Sequence, residues 1–219
     1  MLVGGRWENC VGFGPSSKRK SLSFNEPGGI LATIDLLKTL TCKPVNKGYT
    51  IIPYVNPWGY DNRSRLNRMN CDVNRDFRDP GTQEALVIAR YLSGKRFDLV
   101  LDLHEDPYDS KGYYLYCLSS GRAIFEKAEK VIHQILNLGF PIENKMKVFP
   151  FRTRSGIITI PYWASYITKI VNRFAFCNYS RTMGISRNIV VTETPTFIPL
   201  EERVELQLLS IETLTDLNK

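Results

Sequence analysis

Phe97-Asp98-Leu99-Val100-Leu101-Asp102-Leu103 is a nearly continuous apolar run that ends at His104-Glu105-Asp106. Such a run reads as a strand buried on both faces, the pattern of a parallel sheet covered by helices. Downstream, Tyr113 to Leu118 is a second strand candidate. Residues 122 to 138 form an amphipathic helix, with Ile124, Ala128, Val131, Ile135 and Leu138 on one side. Ile189-Val190-Val191 is a later strand, and Val204 to Leu217 a closing helix. Upstream, Ala85, Leu86, Ile88, Ala89 and Leu92 repeat at helical spacing, and Thr50 to Val55 reads as a short strand. Ile30, Leu31, Ile34, Leu37 and Leu40 make a first helix behind the start signal Pro27-Gly28-Gly29. Helices alternate with strands, which predicts an α/β fold with a mixed, mostly parallel sheet and helices on both faces. No repeat or linker divides the chain. Residues 1–22 form an atypical segment, with Ser16-Ser17-Lys18-Arg19-Lys20-Ser21 as a loop or loose terminus, and residues 23–219 form the domain.

Composition bounds what this domain can do. The 219 residues fit one domain, and 43% hydrophobic with 11% aromatic content supplies a real core, excluding a disordered chain. The net charge of +7 points to an anionic substrate or partner. With two histidines, His104 and His133, a three-histidine metal site is impossible. The longest charge-free stretch in the apolar middle, Ser155 to Thr168, contains Pro161 and falls short of a membrane span. The start of the chain reaches Glu8 without an apolar signal region. Five cysteines, odd in number and without a C-x-x-C pair, argue against a disulfide framework and a thiolate zinc knuckle. A reducing, cytoplasmic location is the expectation.

Three groups of residues could carry chemistry. His133 lies about 180° from Ile124 on its helix and is expected to face solvent. His104 stands at the carboxyl end of the buried run, where open α/β sheets bind ligands. Position alone leaves structural and functional roles even for it. Glu193 tips the balance, because it too follows an apolar strand, and a carboxylate there is costly to bury without a partner. Between them, residues 56–80 form a long loop with five arginines. Four aspartates leave a net of only +1 across residues 61–79, too little for a phosphate-tracking surface. Interleaved Arg, Asn and Asp better suit a small carboxylate gripped by a guanidinium fork and an amide.

The order of these pieces resembles a known family. Asn25-Glu26-Pro27-Gly28-Gly29, Asn56-Pro57-Trp58-Gly59 with Arg65-x-Asn67, Asp72-Val73-Asn74-Arg75-Asp76-Phe77, Asp102-Leu103-His104 and Thr192-Glu193-Thr194-Pro195 are similar, in that order, to the zinc carboxypeptidases. The nearest branch is the compact one of murein-peptide amidases and the succinylglutamate desuccinylase and aspartoacylase relatives. The resemblance implies one zinc ion with ligands Glu26 and His104. It makes Arg65 the group that polarises the scissile carbonyl, gives Asn74 and Arg75 the substrate's terminal carboxylate, and makes Glu193 the general base. The implied activity is hydrolysis of an amide next to a free carboxylate in a small peptide or acyl amino acid. Asp72 resembles the carboxylate that orients a zinc-bound imidazole. The family's first motif is H-x-x-E, however, and here it reads Ser23-Phe24-Asn25-Glu26. A catalytic zinc normally has three protein ligands. An altered start of the chain, a substitute ligand such as Glu8, and an inactive carboxylate- or peptide-binding relative all remain open. Trp58 and Asp76 also depart from the family's usual Asp and Asn. Tyr162, Tyr166 and Tyr179 are candidates for a tyrosine that closes over substrate.

A rival reading comes from the stretch between Glu143 and Glu193. It has no acid and eight basic residues, among them Lys145, Arg152, Arg154, Arg181 and Arg187, with Phe151, Trp163 and Phe176 interleaved. Such a pattern can bind single-stranded nucleic acid. Core aromatics with charges that steer an anionic peptide are the simpler account, since no nucleic-acid motif accompanies them.

Overall fold

The computed structural model describes residues 27–42, 48–77, 79–106, 110–119, 121–145, 147–148, 151–161, 163–164 and 175–217. In chain order the elements are α1 (Pro27–Cys42), α2 (Pro57–Asp61), a 3-10 turn (Val73–Arg75), α3 (Gln83–Leu92), β1 (Val100–Asp106) and β2 (Tyr114–Ser119). They continue with α4 (Arg122–Asn137), β3 (Lys147–Val148), β4 (Phe151–Arg152), β5 (Ile157–Thr159), α5 (Phe176–Thr182), β6 (Asn188–Pro195) and α6 (Leu200–Thr215).

Among the described residues the main sheet has four strands in the order β1-β6-β2-β5. β1 runs parallel to β6 and β2 parallel to β5, while β2 and β6 are antiparallel. The sheet is therefore mixed and mostly parallel, with helices on both sides, as the alternation of elements predicts. On one face Leu101, Leu103, Leu115 and Val190 pack with Leu36 of α1, Val131 of α4 and Ile211 of α6. On the other face Val100, Leu118, Ile189 and Val191 pack with Ile88 of α3, Phe176 of α5, and Val73 and Phe77 beside the 3-10 turn. Phe77 is fully buried and meets Phe176 edge-on at 5.0 Å, an arrangement that adds about 0.5–1.5 kcal/mol to its burial.

Local chemistry explains where the elements begin. Pro27 opens α1 with a φ already suited to a helix. A Cβ on Gly28 would collide with the Glu105 carboxylate, so glycine lets the helix start lie against the end of β1. Asn56 caps α2, its Oδ1 accepting from Gly59 N at 2.9 Å, while its Nδ2 donates to the Arg65 carbonyl at 3.2 Å. That side chain ties the two ends of the loop that carries Arg65.

Several boundaries differ from the sequence reading. The strand read from Phe97 starts at Val100 and runs on through Asp106, because Phe97 N is taken by Ile185 O at 2.8 Å. Its polar residues at 102, 104 and 106 share one face, which disguises the second half of the strand as a strand end. β6 likewise extends to Pro195, so Glu193 lies within it. Residues 51–56 join no ladder among the described residues; Pro53 lacks the N–H a ladder requires. The closing helix starts at Leu200, four residues early. The expected loop at 16–21, and the whole 1–22 segment, lie outside the described residues.

Candidate active site

His104 on β1 is register partner to Glu193 on the parallel neighbour β6, and Glu193 is register partner to Tyr114 on β2. Partners in register leave the sheet on the same side. His104, Glu193 and Tyr114 thus form one row on the face covered by α3 and α5. Asp102, two residues before His104, shares that face, and its Oδ1 lies 2.9 Å from His104 Nε2, both side chains nearly fully buried. With Nε2 facing a carboxylate, the neutral imidazole carries its lone pair on Nδ1, the arrangement seen in carboxylate–histidine metal ligands.

The Asn74-Arg75 pair reaches the same face through α5. Asn74, buried, accepts from Phe176 N at 2.8 Å through Oδ1, which docks the 3-10 turn on the start of α5. The next residue, Cys177, is half-buried and packs against the core cluster on this face. Burial first, and then the Asp102 carboxylate, push its thiol up to about 12, while Arg75 and His104 oppose the rise. Arg75 Nε is buried and meets no hydrogen-bond acceptor among the described residues.

Arg65 is buried on the capped loop, and its Nε donates to Asp72 Oδ2 at 3.1 Å while its Nη2 pairs with the same oxygen. Asp72 in turn begins the 3-10 turn, its carbonyl accepting from Arg75 N at 3.0 Å. Arg65 is thus linked to the Asn74-Arg75 turn through one aspartate. Asp72 Oδ1 is buried and accepts no hydrogen bond from the described residues.

Tyr114 donates to Asp106 Oδ2 at 3.0 Å, and Tyr116 lies edge-on to Tyr114 at 5.6 Å. Burial, then the Glu193 carboxylate, raises both phenols far above their ordinary value, so both remain neutral.

The structure thus sets His104 and Glu193 side by side and docks the Asn74-Arg75 turn, with Arg65 linked to it through Asp72, on the helix that covers that face; Glu26 and Ser23 lie outside the described residues. Pro27, next after Glu26, opens the helix whose Gly28 N donates to Glu105 Oε1 at 2.9 Å, and Glu105 follows His104 in the chain. Among the described residues no three His, Cys, Asp or Glu side chains converge as a metal site. His133 is exposed, as expected. Tyr179 is not a closing tyrosine: it is packed in the core 5.5 Å from Phe77, while Tyr162 and Tyr166 lie outside the described residues. Arg181 is removed from the basic surface, being 2% exposed with Nη1 donating to Ile160 O at 3.2 Å. Phe176 is core as well, whereas Lys145, Arg152, Arg154 and Arg187 are exposed. An apolar cleft of about 700 Å³ between residues 50–57 and α3 contains none of the expected site residues.

The sequence reading did not single out Cys177, Tyr114 or Tyr116, and it quoted Asp102 without a role. Period-two spacing, 102 with 104 and 114 with 116, was the available signal for three of them. Nothing in the sequence marks Cys177, which reaches the site only because α5 packs on β1 and β6.

Comparison with solved structures defines the class of fold. A candidate metallopeptidase from Shewanella amazonensis matches with a TM-score of 0.70 at 19% identity, over 97% of this chain and 77% of that one. A metallo-carboxypeptidase from Burkholderia cenocepacia matches with a TM-score of 0.58 at 15% identity, over 99% of this chain and 59% of that one. The mDAP-bound form of Csd4 from Helicobacter pylori, a D,L-carboxypeptidase, gives 0.58 at 19% identity, over 95% and 50%. At these identities the likeness is one of fold: this is a carboxypeptidase-like α/β domain. Residues 25–148, more than half of the chain, match the succinylglutamate desuccinylase/aspartoacylase catalytic domain, and the chain belongs to that family. No curated protein sequence matches it.

Proposed function

We propose that this protein is a zinc-dependent hydrolase of an amide bond next to a free carboxylate, acting on a small peptide or an acyl amino acid. The observation that carries the reading is the register pairing of His104 with Glu193, with Asp102 Oδ1 2.9 Å from the imidazole. Family membership supports it, as does the tripeptide-bound form of a fold relative, Helicobacter pylori Csd4. The buried carboxylate on His104 Nε2 fits a metal ligand that binds through Nδ1. His104 and Glu26 would hold the zinc, which when bound supplies Lewis-acid polarisation of the scissile carbonyl and acidifies water.

The chain's own residues account for the remaining steps. Arg75, with its buried donor, and Asn74 grip the substrate's carboxylate and fix its direction. Glu193 accepts the proton of the attacking water and delivers it to the leaving amine. Arg65 offers its guanidinium to the oxygen that gains charge, which requires it to share itself between that oxygen and Asp72. Tyr114 and Tyr116, both neutral, place no charge beside the base. We place the protein in the cytoplasm: its described cysteines, Cys71, Cys117 and Cys177, are free, and no helix among the described residues is long and apolar enough to cross a membrane.

The second reading, a carboxylate-binding relative without turnover, is favoured by one observation, the serine at position 23. Zinc-loaded protein offered an N-acyl amino acid and its carboxamide separates the two. Turnover of the acid alone, lost on chelation and restored by zinc, is the expected result. Selective binding of the acid without turnover selects the second reading, and equal handling of acid and amide overturns both.

A further inference from the structure

Beneath the candidate site, on the opposite face of the sheet, lies a buried polar group that the proposed chemistry does not use. Thr192 and Thr194 flank Glu193 and point away from the site, and both are fully buried. Gln207 of α6, also fully buried, meets them: Thr192 Oγ1 donates to Gln207 Oε1 at 2.6 Å. Gln207 Nε2 donates to the His104 carbonyl at 2.9 Å, with Thr194 Oγ1 at 3.5 Å from the same nitrogen. Thr194 Oγ1 itself lies 3.4 Å from that carbonyl. One turn earlier on the helix, Arg203 Nη1 donates to Glu105 Oε2 at 2.8 Å, and Glu105 holds the start of α1.

Leu206, Ile211 and Leu214 show that this side of α6 packs as apolar core. A buried amide there is costly unless satisfied, and an apolar residue would pack without that cost. The amide stands where one side chain can reach the peptide after His104 and both neighbours of Glu193. Strand side chains follow their backbone, so holding those peptides sets where the imidazole and the carboxylate emerge on the far face. We propose that Gln207 is the positioning residue of this site, fixing the separation of His104 and Glu193 from behind the sheet. The proposal rests on the functional reading above for its consequence, and on the geometry alone for its mechanism.

The test replaces Gln207 by methionine, similar in volume but unable to donate, in the full chain. The chain has two histidines, so nitrogen-correlated NMR of the metal-free protein shows two imidazoles, with exposed His133 as internal control. In Gln207→Met the His104 resonances should move or broaden while those of His133 stay. Zinc affinity by chelator competition should fall about 10- to 100-fold, the usual effect of losing a partner behind a metal ligand. kcat should fall with KM little changed. Ser210→Ala, which removes a buried hydroxyl on the same helix that bonds Tyr113 at 2.8 Å instead, should lower Tm and leave His104 unmoved. If Gln207→Met does not fold, Thr192→Val and Thr194→Val each cut one link and are read in the same way. Unmoved His104 resonances in the folded variants, with only Tm altered, overturn the proposal. Wild-type protein that neither holds zinc nor hydrolyses would count against the functional reading, while the imidazole spectrum still decides the role of Gln207.

Discussion

His104 and Glu193, 89 positions apart in the chain, are register partners in the β1–β6 ladder and project side by side from one face of the sheet. A slip of one residue in that pairing would send Glu193 to the opposite face, into the core with Leu103. The ladder therefore does what neither strand does alone: it puts an imidazole beside a carboxylate.

Replacing Glu193 by Gln should remove hydrolysis and spare the metal. General acid–base catalysis contributes about 10²- to 10⁴-fold, and a loss in that range with unchanged zinc content is the expected outcome. Turnover close to wild type would show that another group carries the proton.

Replacing Arg75 by Ala should weaken ligands with a free carboxylate by about 2 kcal/mol or more, the range for truncating one partner of a desolvated charge pair. The buried donor Nε of Arg75 motivates this. Calorimetric titration with an acyl amino acid and with its carboxamide reads the effect, which should be confined to the acid.

Ser23→His should raise zinc affinity and create or raise amidase activity, because a neutral imidazole binds zinc and a serine hydroxyl binds it poorly. Asp72 Oδ1, buried and without a described donor, is the oxygen that would receive the new imidazole N–H. Adding Asp72→Asn should then cancel most of the gain. No change in zinc affinity on Ser23→His would show that residue 23 does not reach the site.

Gly28→Ala should destabilise the protein by about 1–3 kcal/mol, the common cost of overpacking, although alanine is otherwise the better helix former. The new methyl collides with the Glu105 carboxylate and crowds Arg203. Denaturant unfolding of the two proteins measures it; equal midpoints would mean that α1 does not rest on β1 as described.

Alkaline pH should destabilise the fold through Cys117. Burial pushes its thiol up from an ordinary 9.0 to about 11, opposed by Arg181. The unfolded thiol loses its proton first, so the stabilisation is complete below pH 9 and is lost as pH rises towards 11. Tyr113, also raised by burial, adds to the loss above pH 10. Tm measured from pH 8 to 11 should fall, and Cys117→Ala should flatten the part of that fall between pH 9 and 10.

Some of this protein was written in short-range pattern. The run 97–103, the stripe of α4 and the Pro27-Gly28-Gly29 start depend on burial and backbone rules that act within a few residues, and they specify an α/β sheet. Residue types at strand ends marked His104 and Glu193, and an Arg-Asn-Asp loop marked Arg65, Asn74 and Arg75. What pattern could not decide was which elements meet. Only the ladder pairs His104 with Glu193; only the docking of α5 sets Cys177 against the core and takes Tyr179 and Arg181 into the interior. Only α6, folding back behind the sheet, delivers Gln207 to the His104 carbonyl. These are contacts between residues far apart in the chain, where the identity of a side chain says what it can bind and the packing of whole elements decides what it does bind.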